Sequence, residues 1–294
     1  MSAERPSAIG RFLSVANLHI ARAIPLSVGT AVSLPIGDAF CTLLASKRET
    51  ARRNYAHVLG RPENDPLVEA TTRELFRQFA AYITETMHVQ GWGTSDAIDR
   101  MEVEGGEHLD EAAARGTGVI FVSAHMGATD VAATLATLKG FKVTSVIEPI
   151  RPDWLLDYVL ISRKRMGITL LPVQRAGVSL IRTLKRGGMV AMLADVGFGR
   201  GGETPVEFFG RETLFPDWPT RLARVTGAPI IFGMAARKPG GKYSVHICPP
   251  LYSNRDLPAE SDVPATTQKV AAILEGYVRR YPSQWYAFRE MWPR

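Results

Sequence analysis

Leu75, Phe76, Phe79, Tyr82, Ile83 and Met87 recur at three- and four-residue intervals, which places them on one face of a helix. Pro66 suits the first turn of that helix, where a missing N–H costs nothing. Helical patterning of this kind fills residues 1–100. Beyond it the apolar positions gather into short continuous runs. Val119–Ser123, Val143–Ile147, Ile168–Val173, Met189–Ala194 and Pro229–Ala235 each have the length and composition of a buried strand, with helix-compatible stretches between them. Alternating strands and helices predict an α/β fold with a mainly parallel central sheet, helices on both faces and a helical N-terminal layer. Lys238-Pro239-Gly240-Gly241 then separates two strand-like runs and reads as a hairpin that adds an antiparallel strand. A last helix carries Val270, Ile273, Leu274, Tyr277 and Val278 on one stripe and stops before Pro282. No Pro/Ser/Gly tract divides these parts. The chain therefore reads as one domain over 1–294, helical and membrane-associating to residue 100 and an α/β core from 101.

The N-terminus is apolar from Phe12 to Ile20 and again from Ala23 to Ala45. A spanning helix needs ~20 consecutive apolar residues, and Pro25, Pro35 and Asp38 interrupt the second run while His19 and Arg22 separate the two. The pattern predicts one or two helices that lie against the protein body or in the membrane interface. It lacks the short apolar block and small-residue cleavage site of a secretory signal. Composition changes this picture little: 46% hydrophobic and 22% charged residues suit an ordinary globular core. A net charge of +6 adds an attraction for anions, whether lipid, nucleic acid, phosphorylated cofactor or acidic carrier protein. Lys47, Arg48, Arg52 and Arg53 form a basic cluster that is either a solvated helix face or a patch for anionic headgroups or a carrier. Cys41 and Cys248 lack CxxC spacing, so neither a disulfide framework nor a zinc site is expected.

The segment with chemistry in it is Val119–Asp130, VIFVSAHMGATD. Its strand delivers His125 and Asp130 into the loop at the carboxyl end, where open α/β sheets place their sites. Imidazole is the side chain that exchanges a proton near neutral pH. A carboxylate on one ring nitrogen would fix its tautomer, and a turn would fold Asp130 back toward His125. Gly127 permits close approach of a substrate, and amides at the start of the next helix are candidates for holding an oxyanion. Asp195, Glu203 and Glu207 have no histidine near them in sequence, so no metal site is expected. The glycine-rich stretch after Asp195 lacks dinucleotide-loop spacing and reads as a mobile loop bordering an acceptor pocket. No G-x-S-x-G elbow and no nucleic-acid motif occurs.

His125 and Asp130 match the H-x4-D motif of the glycerolipid and lysophospholipid acyltransferases. The rest of the chain resembles the bacterial lipid A biosynthesis acyltransferase branch, which includes lauroyl and myristoyl transferases and the phosphatidylinositol mannoside acyltransferase. The likeness runs from Arg53-Asn54-Tyr55 through Gly60, past Val103-Glu104-Gly105, Arg163–Gly167, Met189–Asp195 and Pro205–Gly210, to Tyr281-Pro282-Ser283-Gln284-Trp285. Ala128 and Thr129 stand where the family often has Asn-Trp. The resemblance implies a fatty-acyl transfer from an acyl-CoA or acyl-ACP thioester to a lipid hydroxyl, without a further cofactor. It implies His125 as base, Asp130 as its orienting carboxylate and Arg163 as a phosphate or headgroup ligand. The mannoside-specific member of the family has an acidic residue just before its F-F-G strand; Pro205 stands at that point here, and Glu203 and Glu207, which flank it, are both left as acceptor contacts. Membrane lipids and an acyl carrier protein or CoA would be the partners, nucleic acid would not, and the cytoplasmic face of the inner membrane would be the location, held peripherally or monotopically. A thioester hydrolase using the same pair and a non-catalytic lipid-binding protein are the alternative readings.

Overall fold

In the computed structural model the described residues are 12, 16, 19–20, 23–148, 153–196 and 201–292. Most of the Phe12–Ile20 run and part of the glycine-rich stretch after Asp195 lie outside them. The central sheet has the order β1 (Met101–Glu104), β9 (Lys242–Ile247), β8 (Ile230–Lys238), β2 (Val119–Ser123), β5 (Met189–Leu193), β3 (Val143–Ile147), β4 (Ile168–Pro172). From β8 to β4 the strands run parallel, while β9 turns back antiparallel to β8 and carries β1 alongside it. The α/β fold with a mainly parallel sheet is thus present, and the expected hairpin is the β8–β9 pair. Every residue of β2 is buried. That is why it reads as a continuous apolar run rather than an alternating one: helices cover both of its faces.

The N-terminal layer consists of α1 (Leu26–Leu43), α2 (Ala45–Leu59) and α3 (Pro66–Val89). Asp65 caps α3 by accepting from the Leu67 amide at 2.8 Å, with Pro66 in the first turn. Leu75, Phe76, Ala80 and Ala81 form the buried side of this helix. Glu85 is buried too, and its carboxylate meets the Arg237 guanidinium from β8 at 2.6 Å, tying the layer to the sheet. α1 packs on α3 through Gly37, where an added Cβ would come within 2.6 Å of the Arg77 backbone. Asp38 beside it accepts from Arg73 and Arg77 at 2.7 and 2.8 Å. Those hydrogen bonds, Arg77 first, hold the Asp38 carboxyl below the usual range.

The remaining helices are α4 (Thr94–Arg100), α5 (Glu107–Ala114), α6 (Thr129–Leu138), α7 (Asp153–Arg165), α8 (Gly177–Lys185), α9 (Trp218–Thr226) and α10 (Ala259–Arg280). A separate antiparallel hairpin, β6 (Glu203–Phe208) with β7 (Arg211–Pro216), lies against α10, with Gln268 bridging to both backbone groups of Glu207.

Candidate active site

Strands β2 and β5 are parallel neighbours, and their last paired residues are Ser123 and Leu193. The Ala194 amide still donates to Ser123 O at 2.9 Å. Each chain then runs two residues further, to His125 and to Asp195, so matched register sets the two side by side. The imidazole Nδ1 is 2.9 Å from Asp195 Oδ1, and the His125 amide donates to Oδ2 at 3.0 Å. The Trp285 indole donates to the same Oδ2 at 3.2 Å. Asp195 is 2% exposed and the His125 side chain 45%, so the carboxylate is sealed and the ring is open on its other edge. A carboxylate only accepts, so Nδ1 carries the proton and Nε2 is left with a free lone pair. Burial works against protonation of this imidazole. The charge of Asp195 and its hydrogen bond outweigh burial and raise the pKa above 6.5. For Asp195 burial acts upward, and His125 with the indole holds the carboxyl below its ordinary value.

The turn that presents His125 is clamped by residues 284–286. Met126 and Trp285 form an antiparallel bridge. The Tyr286 amide donates to His125 O at 2.7 Å, the Gly127 amide to Gln284 O at 2.8 Å, and the Tyr286 hydroxyl to Gly127 O at 2.7 Å. Ala128 N meanwhile donates to Ala235 O at 2.8 Å. The amides of Gly127 and Ala128 are therefore engaged within the protein rather than open to an oxyanion. Gly127 has φ +59, and a Cβ there would stand 2.1 Å from Ala235 O. Its glycine serves the approach of the turn to β8. Gly127→Ala should lose about 1–2 kcal/mol from the left-handed backbone alone, and more from the clash. An unfolding midpoint equal to wild type would refute that account.

Asp130, expected to orient the imidazole, meets a different partner. It is buried at the start of α6, and Arg163 from α7 reaches its Oδ1 at 2.6 Å. Arg163 was expected to face a phosphate; its side chain is 19% exposed and directed at Asp130. Burial opposes its charge, and the Asp130 carboxylate more than restores it. Glu203 and Glu207 stand on β6, and neither is among the residues around the cavity that holds His125. That cavity, about 240 Å³, is bounded by Lys47, Phe79, Phe288 and Arg289 around the His125–Asp195 pair. Asp195 is thus the site residue that sequence reasoning passed over. It closes a buried strand run as His125 does, and two such run ends become neighbours once β2 and β5 are paired. Among the described residues no group of three or more His, Cys, Asp or Glu side chains could hold a metal ion.

The family model for bacterial lipid A biosynthesis acyltransferases matches residues 1–294. A phosphatidylinositol mannoside acyltransferase of Mycolicibacterium smegmatis is 25% identical over 83% of this chain and 79% of its own length. One from Mycobacterium tuberculosis is 26% identical over 83% and 77%. A lipid A biosynthesis acyltransferase of Haemophilus influenzae is 27% identical over 63% of this chain and 57% of its own.

Proposed function

Because the chain belongs to the bacterial lipid A biosynthesis acyltransferase family, and so to enzymes of acyl transfer, we propose that it moves a fatty acyl group from an acyl-CoA or acyl-ACP thioester to a hydroxyl of a glycolipid. The observation that carries this reading is the His125–Asp195 pair, with one nitrogen fixed on a sealed carboxylate and the other open to a cavity. In the proposed reaction the acceptor hydroxyl gives its proton to Nε2 as its oxygen bonds to the thioester carbon. The tetrahedral intermediate collapses by breaking the carbon–sulfur bond. The departing thiolate takes the proton from the imidazolium, leaving an ester, a free thiol and the starting histidine. Asp195 keeps the tautomer and steadies the imidazolium throughout. The relatives named phosphatidylinositol mannoside acyltransferases make a mannosylated phosphoinositide the first acceptor to supply.

The test is an assay with radiolabelled acyl-CoA and acyl-ACP, each offered with and without that glycolipid. Label appearing in an acceptor-dependent lipid supports transfer. Label appearing only as free fatty acid, at a rate indifferent to acceptor, would make the protein a thioester hydrolase.

Membrane attachment belongs to the same proposal. α1 is 18 residues long with a mean hydropathy of 1.4, enough in length and composition to cross a membrane. One side of it is docked on α3, while Val28, Val32, Ile36, Phe40 and Leu43 form an exposed stripe at three- and four-residue spacing. Much of the basic cluster beside it is paired within the protein: Arg52 with Glu49 and Glu63, and Arg53 with Glu49 and Glu290. Binding to vesicles should therefore depend on the stripe more than on charge. Val32→Ser/Ile36→Ser/Phe40→Ser should lose sedimentation with phosphatidylglycerol vesicles, and raised salt should release wild-type protein only in part. Full release by salt, with the triple variant bound like wild type, would reverse this order.

A further inference from the structure

A second cavity, about 770 Å³, is bounded in part by the C-terminal segment and does not include His125 in its lining. One wall is the end of α2 with the turn that follows, supplying Arg53, His57, Arg61 and Glu63. The other is Arg211, the first residue of β7, with Glu290 and Trp292. The polar atoms here are incompletely answered by the protein. Arg53 Nε and His57 Nε2 are both buried and make no hydrogen bond. Buried donors and acceptors without partners are rare in folded proteins. The His57 ring is packed against Trp292, with the ring centroids 4.2 Å apart.

Charge in the cavity is also unbalanced. Arg53, Arg61 and Arg211 face two carboxylates, Glu63 and Glu290. Glu63 is engaged by Arg52 at 3.1 Å, and Arg53 meets Glu290 and Glu49 only at the long distances of 3.6 and 3.7 Å. Arg61 has Asp65 at 3.0 Å, outside the cavity lining. Arg211 is exposed, and close enough that its charge, after burial, helps lower the pKa of His57. Guanidinium groups converging on one space suit the several oxygens of a phosphate, which take parallel N–H bonds.

We propose that the Arg53–His57–Arg211 cavity binds a phosphate group carried by one of the two substrates. The source of that phosphate rests on the acyl-transfer reading; the cavity's preference for phosphate does not. Both cavities share α2 and the 285–292 segment: Lys47 and Arg289 line one, and His57 and Trp292 the other. From Lys47 to His57 the helix rises ~15 Å. A ligand held by its phosphate here reaches His125 only through an extended arm. Two chemistries provide a phosphate on such an arm: the phosphopantetheine of the thioester donor and the phosphodiester headgroup of a lipid acceptor.

The experiment is calorimetric titration of the full chain with 4′-phosphopantetheine beside pantetheine, and with glycerophosphoinositol, the phosphodiester headgroup of phosphatidylinositol, beside inositol. The phosphorylated member of at least one pair should bind tighter than its partner. Arg211→Gln, an exposed substitution that leaves the core untouched, should weaken that binding about tenfold, or 1.4 kcal/mol. Arg53→Gln should act in the same direction, and Arg182→Gln, on an exposed helix surface, should not. A preference in the first pair assigns the cavity to the donor, and one in the second to the lipid. The same titrations in His125→Ala should match wild type, so the cavity survives even where the transfer reading fails. Equal binding of both members in both pairs, or Arg211→Gln and Arg53→Gln binding like wild type, would overturn the proposal.

Discussion

His125→Ala lowers acyl transfer by ~10²–10⁴-fold, the range of a lost general base, and leaves the unfolding midpoint near wild type. The side chain is 45% exposed and packs little, so chemistry and stability should separate. A rate within threefold of wild type would remove His125 from the mechanism. Asp195→Asn should cost a comparable factor, since an amide in place of the carboxylate no longer requires a proton on Nδ1. The pH profile gives an independent reading. The proposed base would act only when neutral, so kcat/KM should fall as pH drops through the imidazole pKa, which Asp195 raises above 6.5. Removing that charge should move the acid limb of Asp195→Asn to lower pH. The sign for stability is opposite in direction. A raised folded-state pKa contributes stability below the unfolded value, and the contribution is lost as pH rises through the folded one. An acid limb at the same pH in both proteins would mean that another group titrates.

Arg163→Met destabilises the protein by about 3–5 kcal/mol, because it leaves the Asp130 carboxylate buried without its partner. Asp130 is 4% exposed, so water does not replace the guanidinium. The double variant Asp130→Leu/Arg163→Met should recover much of the loss, since exchanging both members of a buried pair for apolar side chains is often neutral. Urea unfolding measures both. If Arg163→Met cost no more than Arg182→Met on the exposed surface of α8, the pair would have no structural role. Arg163→Lys that raises KM for a phosphate-bearing substrate at unchanged stability would return Arg163 to substrate binding.

The strands were legible because they are short and apolar: β2, β3, β4, β5 and β8 all coincide with apolar runs, within a residue or two except at the end of β8, and β2 is buried throughout. His125 was legible for a related reason, as a polar residue set immediately after such a run. Its partner was not. Spacing along the chain favours Asp130, five residues on, whereas a parallel sheet brings together residues far apart in sequence. Asp195 is 70 residues from His125, and only the β2–β5 pairing makes them neighbours. The same limit applies to Arg163. The resemblance made it a phosphate or headgroup ligand, and nothing in the sequence shows that the fold sets the Asp130 carboxylate against it. The β6–β7 hairpin was legible only in part, through the F-F-G segment on β6, because its turn at Phe209–Gly210 lacks the commonest hairpin pairs.

Synthesis runs from residue 1 onward, and the bridge between Met126 and Trp285 joins the middle of the chain to its closing stretch. On the ribosome, β2 and β5 can pair and His125 can meet Asp195 well before Trp285 has emerged. Until then the turn has no Tyr286 amide on His125 O, no Gln284 carbonyl on Gly127 N and no indole on Asp195. The geometry of the His125–Asp195 pair is therefore completed only when residues 284–286 have been made. A nascent chain has the imidazole and its carboxylate early, but not the strap that holds them.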